Sequence, residues 1–350
     1  MREWLQREWE RKGGGALILL PLTLIFMLVV AWRRLLYRHR LLPVWRAPVP
    51  VIVVGNITVG GAGKTPLVME IVEKLLACGW TPGVVARGYG RVPPREADPL
   101  GVVRVYPDIA TPEHFGDEPV MVARRSRVPV YISVDRPAAA RALLAAHREV
   151  DMLVSDDGLQ HYALGRDVEI AVVDGERRFG NGLLLPSGPL REPVSRLGGV
   201  DAVVVNGGAA QERFGPPQFA MRLGLERFAG LVGNPELSPA EFALMARGRS
   251  VVAIAGIGRP ERFFEQLAGL GVRARTLAFP DHHAYQPRDL KLAGADLIVM
   301  TEKDAVKCAA FADARMWMMR VQAILPPEFD EFLFTHLHAA RTKAHGPKAA

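Results

Sequence analysis

The chain has 350 residues, 49% hydrophobic and 23% charged, which excludes a disordered protein and leaves room for two domains. Its formal net charge of +7, from 44 Lys+Arg against 37 Asp+Glu, suits an anionic partner such as a nucleotide or an acidic lipid surface. The arginines are spread rather than blocked, so no nucleic acid is indicated, and the 2 cysteines, Cys78 and Cys308, form no C-x-x-C pair, which argues against a disulfide framework or metal knuckle.

The first forty residues differ from the rest. From Gly13 to Trp32 there are 20 residues without a charge. A membrane-spanning helix needs about 20 such residues, so residues 1–40 read as an N-terminal membrane anchor helix, slightly weakened by Pro21 and Thr23. Trp32 and Tyr37 suit an interface, and Arg33, Arg34, Arg38 and Arg40 suit anionic head groups. A cleaved signal peptide would need small residues after the apolar core, but the chain reads W-R-R-L-L-Y-R-H-R there. A buried helix of a soluble protein is the other alternative. Arg2, Arg7, Arg11 and Lys12 balance the opposite flank, so charge does not set the orientation.

Residues 41–215 read as one α/β domain. Val49–Val54 is an apolar run expected to be a buried strand, and Leu67–Ala77 has helical apolar spacing. Between them lies G-N-I-T-V-G-G-A-G-K-T-P, Gly55 to Pro66. Strand, glycine loop, Gly-Lys-Thr and helix make the P-loop arrangement, which cradles the phosphates of a nucleoside triphosphate. Thr58, Val59, Gly60, Gly61, Ala62 and Gly63 would wrap phosphate oxygens with backbone N–H groups. Lys64 would reach the β- and γ-phosphates and Thr65 would offer its hydroxyl to Mg²⁺. Thr58 stands where the usual motif has its first glycine. A glycine-rich turn that binds nothing is the alternative. Since ATP is cytosolic, this loop should face the cytoplasm.

Strands are expected at 81–86, 128–134, 151–155, 169–173 and 201–206, alternating with helices, which argues for a mostly parallel sheet covered on both faces. R-G-Y-G-R (Arg87–Arg91) reads equally as an anion loop or a plain turn. Asp117 or Glu118 of G-D-E-P reads as a helix cap. Asp156-Asp157, at the end of a buried strand and followed by Gly-Leu-Gln-His, occupies the position whose carboxylate orders Mg²⁺; a β-turn is the alternative. Arg191 and Glu192 lie in a glycine–proline loop, Asn181–Pro193. Residues 216–240 read as a linker with short strands and 241–335 as a smaller α/β domain. There, Asp281, His282 and His283 form either an acid/base or metal cluster or a structural pair.

Taken together and in order, G-N-I-T-V-G-G-A-G-K-T-P, R-G-Y-G-R, G-D-E-P, D-D-G-L-Q-H, G-P-L-R-E-P, F-P-D-H-H-A-Y and T-E-K-D-A-V-K resemble the tetraacyldisaccharide 4′-kinase family of lipid A biosynthesis, over roughly residues 15–330. The resemblance implies transfer of the ATP γ-phosphate to the 4′-hydroxyl of a tetraacylated disaccharide 1-phosphate, giving lipid IVA, at the inner membrane. It implies ATP and Mg²⁺ as cofactors and an acylated disaccharide lipid and the membrane surface as partners, with no obligate protein partner. It implies a P-loop kinase domain and a smaller α/β domain around a cleft. Carried over by motif, Asp117 is the base for the sugar hydroxyl and His282 its orienting partner, with His283 the competing assignment. Asp156 and Asp157 are the acids around Mg²⁺, Glu192 a further metal-side acid, and Arg191 a charge stabiliser, with Gln160 and His161 in support. Thr58 is the family's own form of the loop. Against this stand two rivals: a membrane-tethered switch NTPase, which should carry N/T-K-x-D where the chain has T-E-K-D, and an assembly or transport ATPase.

Overall fold

The structure is a computed structural model, and it describes residues 8–9, 14–89, 101–208, 214–233 and 235–344. A long apolar helix, α1 (Leu20–Arg38), comes first, with Pro21 in its opening turn, where a missing N–H costs nothing. The first α/β unit follows: β1 (Val51–Gly55), α2 (Lys64–Ala77), β2 (Pro82–Ala86), β3 (Val103–Val105), α3 (Pro112–Phe115), α4 (Asp117–Ser126), β4 (Val130–Ile132), α5 (Arg136–Ala146), β5 (Met152–Asp156), β6 (Val168–Asp174) and β7 (Ala202–Asn206). The long strand β8 (Gln218–Gly230) leads to the second unit: β9 (Glu236–Leu237), α6 (Pro239–Met245), β10 (Val251–Ala255), α7 (Pro260–Gly269), β11 (Ala274–Ala278), β12 (Leu297–Thr301) and α8 (Glu302–Cys308). The chain returns through β13 (Met316–Ile324) and ends in α9 (Pro327–Ala344).

Among the described residues thirteen strands join in one sheet, ordered β11-β10-β12-β13-β8-β7-β6-β1-β5-β2-β4-β3, with β9 on β8. Pairing is parallel within each unit except at β3, antiparallel to β4, and at the short β9, antiparallel to β8. The central strands, such as V-I-V-V-G of β1, are buried throughout because helices cover both faces. Most of the stretch expected as a linker with short strands is instead, ahead of the short β9, one long strand, β8, with two jobs. Its first residues run parallel to β7, from Val203 opposite Gln218 to Asn206 opposite Met221. The remainder runs antiparallel to β13, from Ile324 opposite Arg222 to Trp317 opposite Gly230. A register shift falls between Arg320 and Val321, leaving Glu226 as the extra residue on β8.

Four apolar clusters follow from this sheet. In the first, Leu67, Ile71 and Leu75 of α2 meet Ile52 and Val54 of β1. Phe329, Leu333 and Leu337 of α9 belong to that same cluster, so residues 327–344 pack on the first unit rather than on the second. The opposite face buries Val51, Val53, Leu143 and Leu153. The second unit has its own pair of cores, one around Phe228 stacked on Phe242 with centroids 3.8 Å apart, the other around Ile254, Ile298 and Met300.

Helix α1 lies against the second of these clusters. Thr23 is buried and its hydroxyl donates to Ser187 Oγ at 2.8 Å while accepting from Ser187 N at 3.0 Å. Phe26 packs on the same core and the Tyr37 ring sits 5.6 Å from that of Tyr162. The outer side, with Leu22, Ile25, Leu28 and Trp32, is exposed. The 24-residue segment Gly15–Arg38 is long and apolar enough to cross a membrane, by length and composition.

Candidate active site

The P-loop is built by β1, the turn and α2. Helix α2 starts at Lys64, three residues before the apolar spacing begins, because Gly63 in the left-handed conformation (φ 92°) caps it. A side chain there would meet Asn206 Nδ2 at 2.3 Å, and that amide donates to Ala62 O at 3.0 Å. The other side of the loop is fastened to residues 189–191: Val59 N donates to Pro189 O at 2.8 Å and Arg191 N to Ile57 O at 2.7 Å. Thr58 forms a bridge with Leu190. It is therefore extended backbone, which any side chain tolerates, and this explains physically why the loop manages without its first glycine.

At the end of β5 the two aspartates diverge. Asp156 is buried; Thr65 donates its hydroxyl to Asp156 Oδ2 at 3.4 Å, and Asp156 Oδ1 has no protein partner. Burial, followed by the Glu118 charge, pushes its carboxyl up. Asp157, held at φ 51°, turns to the cations: Lys64 Nζ lies 3.5 Å away, and Arg191 Nη1 donates to its oxygens at 3.0 and 2.9 Å. Burial alone would raise the Asp157 carboxyl, but Lys64 and Arg191 hold it well below the usual carboxylate range. Arg136, almost fully buried beneath the pair, donates to Asp156 O at 3.2 Å. His161 is pushed down to about 3 by burial and then by Arg136, so it is neutral here.

Mg²⁺ takes hard oxygen ligands and keeps several waters and substrate phosphates in its shell. Thr65 Oγ1 and the unpartnered, buried Asp156 Oδ1 supply that chemistry, so the residues present fit the ion. Glu192 is placed differently from expectation: its two oxygens accept from Gln160 at 2.9 Å and from Tyr162. Gln160 also approaches Arg191, its Oε1 at 3.5 Å, so Glu192 joins the site through side chains rather than at Thr65 and Asp156. Among the described residues no group of three or more His, Cys, Asp and Glu is poised to hold a metal.

The second half of the site comes from both units. Asp117 opens α4, after Gly116 with φ 86°, and is buried. His282, itself at φ 62°, brings Nδ1 to 3.0 Å from Asp117 Oδ2. His283 turns away to Asp289 at 3.1 Å and stacks on Phe279. Lys303, within T-E-K-D, lies 3.7 Å from Asp117 Oδ2 and 3.2 Å from Asp281 Oδ1. Burial would raise the Asp117 carboxyl; the His282 hydrogen bond and the Lys303 charge outweigh it and keep it well below the ordinary range. Lys303 is shifted up, since Asp117, Glu118 and Asp281 outweigh its own burial. Arg87, Asp117, Asp156, Asp157 and His282 line one pocket. Of R-G-Y-G-R, Arg87–Tyr89 are in that wall and Gly90–Arg91 lie outside the described residues, as do Arg2, Arg7, Arg11 and Lys12.

Sequence reasoning missed Lys303, Arg136, Asn206 and Tyr162. Only Lys303 left a signal, as part of a motif whose lysine had no assigned task.

Residues 15–338 match the family model LpxK, described as tetraacyldisaccharide-1-P 4′-kinase. A protein of Methylobacillus flagellatus named tetraacyldisaccharide 4′-kinase is 46% identical over 337 residues, 95% of this chain and 96% of that one. Its namesake in Azoarcus sp. is 48% identical over 340 residues, 96% of each. Among solved structures, the crystal structure of an "apo" form of LpxK from Aquifex aeolicus in complex with ATP superposes with a TM-score of 0.75 at 27% identity, covering 92% of this chain and 99% of that one.

Proposed function

The chain belongs to the tetraacyldisaccharide-1-P 4′-kinase family, and we propose that its Asp117 receives the acceptor proton while Lys64, Arg191 and Thr65 manage the phosphates. It is an ATP-dependent kinase that phosphorylates the 4′-hydroxyl of tetraacyldisaccharide 1-phosphate to give lipid IVA in lipid A biosynthesis. Phosphoryl transfer asks for positioning and charge neutralisation more than for covalent help. The 4′-oxygen bonds to the γ-phosphorus as the bond to the ADP oxygen breaks, and the hydroxyl proton passes to Asp117.

A carboxylate kept well below its ordinary range is always ionised but a weak base. In a loose transition state the proton leaves late, so weakness is tolerated, and His282 at 3.0 Å orients the acceptor oxygen of Asp117 and shares the proton. Lys303 neutralises the carboxylates around it. Lys64 and Arg191, held on Asp157 until nucleotide arrives, turn to the developing charge on the phosphoryl oxygens. Backbone N–H groups from Thr58 to Gly63 receive the β-phosphate. Thr65 and Asp156 would hold Mg²⁺, which when bound neutralises charge on the transferring group. Glu192, gripped by Gln160 and Tyr162, keeps Arg191 and the loop in register. Because Asp117 and His282 come from different units, the pair completes only in the closed arrangement, which restrains ATP hydrolysis without acceptor.

We place the chain at the inner membrane with both units facing the cytoplasm, its acyl-chain substrate in the bilayer and α1, with exposed Leu22, Ile25 and Leu28, as the anchor. A guanine-reading switch is disfavoured because Lys303 of T-E-K-D is engaged by Asp117 and Asp281 rather than free for a base. The observation carrying the residue assignment is that the acids meeting Lys64 and the Asp117–His282 pair line one pocket. Its test is transfer of label from γ-labelled ATP to the disaccharide 1-phosphate lipid in micelles. Wild type should label the lipid, and His282→Ala and Lys64→Ala should label it far more slowly; normal labelling by either variant would overturn that assignment.

A further inference from the structure

One arginine outside the pocket ties several elements together. Arg125, near the end of α4, is almost fully buried and its guanidinium joins four elements. Nε donates to Glu73 of α2 at 2.9 Å, and Nη2 to Glu226 of β8 at 2.8 Å. Nη1 donates to Val321 O of β13 at 2.8 Å and to Glu302 of α8 at 3.3 Å. Two of these partners mark the irregularity in the ribbon between the units: Glu226 is its extra residue, and Val321 follows the register shift. A planar fork suits this task, since it can hold several acceptors in fixed directions at once.

The same two helices carry the reacting groups. Asp117 begins α4, which ends beside Arg125, and Glu302 is followed in α8 by Lys303, which lies against Asp117 and Asp281. Helices α4 and α8 are thus joined at two points, Arg125–Glu302 and Asp117–Lys303, and His282 meets Asp117 across the second. We propose that Arg125 is a positioning residue for phosphoryl transfer: it clamps the ribbon bulge and α8 onto the P-loop unit and so sets the Asp117–His282 contact. This rests on the reading of Asp117 and His282 as the reacting pair. Without Arg125, Glu302 is a buried acid whose remaining ion-pair partner among the described residues is Arg320 at 3.8 Å, with the Glu226 charge opposing it, and the clamp becomes a repulsive or protonated contact.

The test compares Arg125→Ala, Arg125→Lys and Glu226→Ala, in the wild-type chain and in His282→Ala. Kcat for lipid phosphorylation, KM for ATP and the unfolding midpoint are measured for each. Arg125→Ala should lower kcat by about 10- to 100-fold, the scale of a small misplacement of reacting groups, with KM for ATP changed less than about threefold. Lysine keeps the charge but not the fork and should restore only part of the rate. In His282→Ala the further loss on removing Arg125 should nearly vanish, because the contact being positioned is already gone. Should Arg125→Ala not fold, Glu226→Ala, which removes only one partner, must show the same kcat-selective pattern at smaller size. Unchanged kcat, a parallel loss of ATP affinity, or an equal loss in the His282→Ala background would overturn the proposal. If His282→Ala itself transfers phosphate normally, the reading of the reacting pair falls instead.

Discussion

Gly63→Ala is the substitution whose cost can be worked most directly from the structure. Gly63 sits at φ 92°, and an added Cβ would lie 2.3 Å from Asn206 Nδ2 and 3.2 Å from Met221 Cε. Left-handed backbone costs an L-residue about 1–2 kcal/mol. The clash then has two outcomes. Either the amide stays and the core is overpacked, at about 1–3 kcal/mol, or it moves and its bond to Ala62 O is lost, at about 1 kcal/mol or more. The total is about 2–5 kcal/mol, which at roughly 2–4 °C per kcal/mol lowers the unfolding midpoint by about 4–20 °C. Calorimetry on the single variants and on Gly63→Ala/Asn206→Ala provides the assay. The Asn206 change should cost clearly less in the Gly63→Ala background than alone, because the same amide would already be displaced. Additive losses, or a midpoint for Gly63→Ala within 2 °C of wild type, would refute the reasoning.

Three further outcomes are expected. Lys64→Ala should lower kcat/KM by about 10²–10³, as removal of a charge stabiliser does, measured by labelled-lipid formation. Asp157 is held below the ordinary carboxylate range, so its contribution to stability is present above about pH 4 and is lost as pH falls through its folded value; urea unfolding between pH 3 and 6 should show a shallower acid limb in Asp157→Asn than in wild type. Thr23→Val leaves the buried Ser187 N–H without its acceptor, at about 1–3 kcal/mol, and limited proteolysis should then cut residues 183–190 faster.

What could be read from the residues followed their physical range. The P-loop, the strands around it and the helix after it are set by neighbours in sequence, and β1, α2, β5 and β7 lie within a few residues of expectation. Strand β8 reads as a linker because its ribbon half is only partly covered and contains Gly224, so alternation is weak. Met316–Ile324, half-buried on both faces, gives neither a clean alternation nor an unbroken apolar run. In the site, Asp156 and Asp157 are adjacent, yet one keeps an oxygen free and the other is bound by Lys64 and Arg191, a split no pattern of letters announces. The choice of His282 over His283 depends on Asp289 and Phe279 claiming the second ring. Arg125, Arg136 and Asn206 act through partners dozens to hundreds of residues away, or through backbone, and left no local trace.

The return of α9 to the first core has a consequence for synthesis. Phe329, Leu333 and Leu337 are fully buried there, and Lys74 reaches Asp330 at 2.9 Å across 256 positions. Domains usually fold as they leave the ribosome, amino end first. Here the nucleotide-gripping half stays open along one side until α9 has emerged. The nascent chain can dock its anchor early, but the triphosphate site is finished only when α9 closes on that core.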